Sequence, residues 1–206
     1  DAPITLQAVD GTAALTIDAG TGTVRLEGPV GAGTPLGAVA VNGSGDLQLL
    51  DAFAADSLVV ADAAALTLGG ALALGAGGGS LTADTLAVDD SVTSAGGLAL
   101  TATTGALAIA AGADLAAEAG LTLAAAGGID LAADLATVVG ALTVVDPLRL
   151  GGSVTLDSAG GDLTLDAATG NGFDLGLVSG AGTTRVTGAV DGVATLALQA
   201  DDASST

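Results

Sequence analysis

"GADLAAEAGLTLAAAGGIDLAADLATVVGAL", residues 112–142, can be read as helix or as a run of short strands. Leu115, Glu118 and Leu121 fall at near-helical spacing, as do Leu131, Leu135 and Val138, and alanine is the best helix former. Against this, Gly112, Gly120, Gly127, Gly128 and Gly140 interrupt the stretch too often for a helix of more than about two turns. Between the glycines stand "LTL" (121–123) and "IDL" (129–131), and "LTV" follows at 142–144. Each is an apolar, small or polar, apolar triplet, and a period of two puts its outer side chains on one face of a strand. The stretch reads as strands and turns.

The same triplet runs the length of the chain. It is "LTI" at 15–17, "VRL" at 24–26, "VAV" at 39–41, "LQL" at 47–49, "LTL" at 66–68 and "LAL" at 98–100. It returns as "LRL" at 148–150, "VTL" at 154–156 and "LTL" at 163–165. Gly, Asp, Ala-Gly and Gly-Gly separate the triplets and supply the turns. Leu121, Leu142 and Leu163 open matched triplets 21 residues apart, and Thr184 opens "TRV" at the next step. A repeat near 20 residues containing two or three short strands is the mark of a β-helix coil. Strands this short do not suit a sandwich, where about five or six residues are usual.

Composition agrees. Half of the 206 residues are apolar, but they are almost all Ala, Leu and Val; only Phe53 and Phe173 are aromatic. An irregular globular core needs side chains of many shapes, whereas a narrow core of stacked layers is filled by like aliphatics. The 34 glycines far exceed the usual share of about 7% and follow no three-residue period, which excludes collagen. The expected fold is all-β: one solenoid domain over 1–206, a right-handed parallel β-helix of about ten coils of roughly 20 residues, some 45–50 Å long at about 4.8 Å per coil.

Charge and missing residue types narrow the function. Twenty-one Asp and two Glu face three Arg and no Lys, a formal charge of −20. Such a polyanion cannot neutralise phosphates, which argues against nucleic acid and against anionic lipid surfaces. Divalent cations, basic proteins and neutral glycans stay compatible, and the charge also keeps an apolar, sheet-rich chain in solution. With no cysteine there is no disulfide or thiolate chemistry, a pattern that fits disulfide-free secreted bacterial proteins. The chain opens at Asp1 without Met or a signal-peptide pattern, as expected of a mature or internal segment. The uncharged runs 63–83 and 91–113 are long enough to span a bilayer, but Gly-Gly pairs and alternation make them strands, so no membrane insertion is expected.

One stretch carries a family resemblance. "LTIDAGTGTVRLEGPVGAGTPLGAVAV" (15–41) resembles repeats of the filamentous-haemagglutinin-like exoproteins and adhesins of Gram-negative bacteria. The shared elements are Leu15–Gly22, Gly28–Gly31 and Pro35–Leu36, and elsewhere the similarity reduces to Leu-x-Leu and Gly-Gly texture. It implies a right-handed parallel β-helix, secreted or displayed at the cell surface, acting as a stalk, filament or adhesive module. Parts of the stretch recur: "LTLDAATG" at 163–170 and "GTTRVTGAV" at 182–190 echo the two halves of residues 15–30. This suggests a larger unit of about 150–160 residues over the coil period. The twelve additional residues "NGFDLGLVSGAG" (171–182) are expected to form a protruding loop or an altered corner.

Candidate chemistry is sparse. Without His, Lys or Tyr, catalysis would rest on paired carboxylates such as Asp89–Asp90, Asp130–Asp134 or Asp157–Asp166, as in glycoside hydrolysis. Most Asp residues follow a strand or open a turn, where they cap backbone N–H groups. Calcium is the other option: "GNGFDLGL" (170–177) fits the G-x-G-x-D-x-U word of calcium-binding β-rolls, and "NGSGDLQL" (42–49) is a looser relative. Asp174 and Asp46 are therefore the metal candidates, with Asp201 and Asp202 as outliers. Calcium needs six to eight oxygens, and the next nonapeptide, "VSGAGTTRV", lacks the Asp. A Thr ladder at 16, 67, 122, 143, 155 and 164 is expected to face outward, as are Arg25 and Arg149, with Arg25 paired to Glu27 on its own strand face. The expected function is a non-catalytic structural module of an extracellular bacterial adhesin or surface filament. The alternative is a self-assembling filament, sheath or surface-layer subunit, with calcium at its junctions; a carbohydrate-active enzyme is third. No capping segment is visible, and "LQAVD" (6–10) echoes "LQADD" (198–202). The expected partners are thus other copies or neighbouring repeats end to end, with a glycan or host surface as a further candidate.

Overall fold

A computed structural model describes residues 1–200. Every helix or strand assigned there is a strand, the stretch 112–142 included, and every strand pair is parallel. No helix is long and apolar enough to cross a membrane among the described residues. The chain winds into a right-handed parallel β-helix of about nine turns of about 21 residues, the hand that a right-twisted strand imposes on parallel crossovers.

Each turn contributes three strand positions, so the rod has three faces. The first face is a ten-stranded sheet that begins at Ile4–Leu6 and Val24–Leu26 and ends at Ala168–Thr169 and Val190–Asp191. Ten strands enclose nine turns, which makes the rod about 43 Å from first strand to last. The second face stacks Phe53, Leu72, Val92, Leu115 and Leu135 in register. The third stacks Leu98, Leu121, Leu142, Leu163 and Thr184. The second and third faces belong to a single sheet because Leu72–Ala83 bends through "GAGGG" (75–79) and pairs with both Val92–Ser94 and Leu98–Ala102.

The alternation in the triplets is the burial pattern. Val24, Leu47, Leu66, Leu107, Ile129 and Leu148 on the first face are each about fully buried, while the residue after each points out. Inward positions from Ile17 to Leu177 join one aliphatic core, with Phe53 its largest member at 2% exposure. Each fully buried Leu or Val contributes about 1.5–3 kcal/mol. In the first and last described turns burial is less complete: Ile4, Leu6, Val9 and Leu15 are only half-buried, and Leu196 and Leu198 are exposed.

Two expectations are corrected. Residues 171–182 are not a protruding loop: a tight corner at 170–173 leads into the strand Leu175–Gly180, whose Leu175 and Leu177 are fully buried. The sequence echo recurs in place only in its first half, since Leu15–Asp18 and Leu163–Leu165 both lie on the third face. "VRL" (24–26) lies on the first face, but "TRV" (184–186) lies on the third, paired with Leu163–Leu165. The twelve residues carry the second half two faces further round, so no single displacement of 150–160 residues maps one copy onto the other.

Candidate functional site

The metal candidates do not meet. Asp46 is exposed near the start of the third first-face strand, and Asp174 is exposed at the corner after the ninth. Six turns, roughly 29 Å, separate them. The glycines of "GNGFDLGL" are spent on the corner itself. Asn171 and Gly172 have positive φ (52° and 84°), the Phe173 N–H closes the turn on the Gly170 carbonyl at 2.9 Å, and a Cβ on Gly170 would lie 2.4 Å from Val193 Cα. A left-handed turn needs the same Gly-x-Gly as a calcium loop. Among the described residues no three acidic side chains come together around a common point. Asp201 and Asp202 lie outside the described residues.

Two of the three carboxylate pairs also separate. Asp157 ends a second-face strand, whereas Asp166 follows a third-face strand. Asp130 binds Arg149 and Asp134 accepts the Thr155 N–H, so neither is turned to the other. Asp89 and Asp90 are adjacent at a first-to-second corner, where the Asp90 side chain accepts the Ser91 N–H at 2.7 Å.

Several aspartates stitch one turn to the next. Asp10 accepts the Thr34 N–H at 2.7 Å, Asp134 the Thr155 N–H at 2.7 Å, Asp146 the Ala125 N–H at 2.7 Å and Asp162 the Thr183 N–H at 2.9 Å. Asp84 and Asp166 take the hydroxyls of Thr103 and Thr187. The capping role expected from sequence is therefore present, but the capped group is mostly 20–24 residues away, on the neighbouring turn, rather than local. Charged acceptors make such bonds stronger than neutral ones.

Arginine follows the expected geometry. Arg25 pairs with Glu27 on its strand at 3.2 Å, and Arg149 reaches across one turn to Asp130 at 2.8 Å. Arg185 is exposed on the third face. The Thr ladder splits over three faces. Thr122, Thr143 and Thr164 form one rank on the third face, Thr67 lies on the first, Thr155 on the second, and Thr16 at the far end of the third.

Two of the shallow surface grooves are lined in part by charged side chains. One, about 510 Å³, runs along the first face past Gly127, Pro147, Arg149, Thr169 and Asp191. The Arg149 guanidinium there is already engaged by Asp130 and by the Gly127 carbonyl at 3.4 Å. The other, about 410 Å³, lies on the second face beside Asp134, Ser153, Thr155, Asp174 and Thr195. Its Asp134 side chain accepts the Thr155 N–H, and its Ser153 hydroxyl accepts the Asp174 N–H at 3.1 Å. Arg149, Asp134 and Ser153 thus serve contacts between coils, while the Asp191 side chain accepts the adjacent Gly192 N–H at 2.8 Å.

A feature not read from the sequence lies at the second-to-third corner. Ser94, Thr137, Ser158 and Ser179 turn inward and are at most 4% exposed. Thr137 Oγ1 donates to the Gly140 carbonyl at 2.7 Å, and Ser158 Oγ donates to the Gly161 carbonyl at 2.5 Å. In return the N–H groups of Gly161 and Gly182 reach the carbonyls of Ser158 and Ser179, each at 2.8 Å. At the Thr137 and Ser158 corners the hydroxyl closes the turn from inside. Its sequence signal is a Ser or Thr three residues before Gly: "SAGG" (94–97), "TVVG" (137–140), "SAGG" (158–161) and "SGAG" (179–182). The Ser44 and Ser179 hydroxyls have no partner among the described residues. Comparison with protein-family models, curated proteins and solved structures finds no match for this chain.

Proposed function

We propose that this chain is a non-catalytic structural module, a rod segment of an extracellular bacterial adhesin or surface filament. The observation that carries the reading is a single aliphatic core running unbroken from Ile17 to Leu177 under strands in parallel register. A solenoid of this kind acts as a stiff spacer whose length is set by the number of turns. The stitching aspartates support a structural reading, because their side chains are committed to neighbouring backbone. The surface location rests on the likeness of residues 15–41 to haemagglutinin-like repeats and on the absence of cysteine. A glycan or host surface is the contact such a module would present along its faces.

A second reading is a self-assembling filament, sheath or surface-layer subunit: Leu196 and Leu198, in register with the buried Leu175 and Leu177, are exposed, an apolar surface that a further coil of the same kind would cover. Electron microscopy and sedimentation over a concentration series separate the two. Monodisperse rods at all concentrations support the spacer; fibres that lengthen with concentration support the subunit, and their loss on calcium chelation would place calcium at the junctions. Hydrolysis of a polysaccharide, abolished by Asp134→Asn, would overturn both.

A further inference from the structure

The chain has two asparagines, and each is followed by glycine: Asn42-Gly43 and Asn171-Gly172. Both are exposed, and both glycines have positive φ (69° and 84°). Asn-Gly is the dipeptide most open to intramolecular deamidation, because no side chain shields the glycine nitrogen from the asparagine amide. That nitrogen, on losing its proton, attacks Asn Cγ; the Cγ–N bond breaks and ammonia leaves. Water then opens the five-membered succinimide at either carbonyl, giving aspartate or isoaspartate. One water is consumed and one ammonia released, and no other reactant is required.

The two sites differ in what restrains them. At Asn171 the side-chain Nδ2 donates to the Leu150 carbonyl at 2.9 Å, and the attacking nitrogen, that of Gly172, donates its proton to the Gly192 carbonyl at 2.7 Å. Both the amide and the nucleophile are therefore held by neighbouring turns. At Asn42 neither restraint exists among the described residues: no side-chain hydrogen bond involves Asn42, and no acceptor takes the Gly43 N–H. We infer that Asn42 is a spontaneous modification site in the folded protein and that the solenoid protects Asn171.

The position gives the reaction a structural effect. Asn42 lies at the third-face end of the strand Leu36–Asn42, in register with Asp18 one turn below. Conversion sets a new carboxylate beside that of Asp18, and like charges in adjacent strands destabilise the pair. Isoaspartate also lengthens the backbone by one carbon between Val41 and Gly43, where Val41 pairs with both Ile17 and Val60. The modification thus loosens the first turns of the rod with age.

The test is incubation of the 206-residue protein in mildly alkaline buffer, with peptide mass spectrometry at both sites and isoaspartyl methyl transfer as an independent readout. Folded protein should convert Asn42 about thirtyfold faster than Asn171, the factor expected from the two hydrogen bonds held at Asn171 alone. In denaturant the two rates should converge. Asn42→Gln should remove most of the methyl-accepting signal of folded protein, and Asn171→Gln should leave it. Equal rates in the folded state, faster conversion at Asn171, or an intact Asn42 over a period that converts the denatured chain would each overturn the inference.

Discussion

Gly161→Ala should be among the most damaging single-methyl additions to this rod. The glycine closes a second-to-third corner, and its φ is not in the left-handed region, so alanine is acceptable to its backbone. Space is the difficulty. A Cβ there would lie 2.2 Å from the Gly140 carbonyl oxygen and 2.7 Å from its carbon. The same oxygen is held from inside by Thr137 Oγ1 at 2.7 Å, so it cannot swing away without breaking that bond. Relief requires the two corners to part by about 1 Å, against a coil spacing of about 4.8 Å. The Leu142 N–H bond to Asp162 and the Leu163 N–H bond to Thr183, both 2.9 Å, flank the opening. Overpacking of this kind costs about 1–3 kcal/mol and a strained or lost corner bond about 1 more, giving roughly 2–4 kcal/mol. For a chain of this length that lowers Tm by about 5–15 °C. Thermal and urea unfolding followed by circular dichroism measure it, with Gly97→Ala as control. Gly97 occupies the matching place in "SAGG" (94–97), but its Cβ would have only Gly120 O at 3.8 Å, an ordinary contact. Equal stability of Gly161→Ala and the parent, or equal damage from Gly97→Ala, would refute the close-approach reasoning.

Ser158→Ala should cost about 1 kcal/mol in urea unfolding because it deletes the hydroxyl bond to Gly161, whereas Ser179→Ala, which removes a buried hydroxyl without a partner, should be neutral or slightly stabilising. Leu123→Ala, at a fully buried third-face position, should cost about 2–5 kcal/mol by the same measurement. Arg149→Ala should change stability by no more than about 1 kcal/mol, since both partners of its ion pair are half-exposed, and the difference should shrink when unfolding is repeated at high salt.

What could be read in advance was the inside–outside code. Triplets such as "LTL" (121–123) and "IDL" (129–131) carry the burial alternation directly, and the pairing of Arg25 with Glu27 followed from their sharing one strand face. The assignment of strands to faces was hidden, because turns from 19 to 23 residues long bring successive first-face strands into register. That is why Thr67 and Thr155 joined a ladder they do not belong to, and why Asp157 and Asp166 seemed a pair from their strand words alone. The calcium-like word at 170–177 is ambiguous for a different reason: positive φ at Gly172 serves a corner and a metal loop equally. The corner hydroxyls went unread because Ser and Thr near Gly look like ordinary surface turn residues until their inward orientation is known.

The displaced echo of residues 15–30 bears on how such rods change length. One strand–corner–strand word serves the first-to-second corner at "VRLEGPV" (24–30) and the third-to-first corner at "TRVTGAV" (184–190). The corners are therefore interchangeable parts, and an insertion need not match a whole turn to be accommodated. Twelve extra residues were absorbed by rotating everything downstream around the axis, with the inward leucines still facing in. A lineage of such rods can grow or shrink by fractions of a turn, and each step re-indexes which side chains line each outer face. Recombination among imperfect repeats would then generate new surface patterns on an unchanged interior.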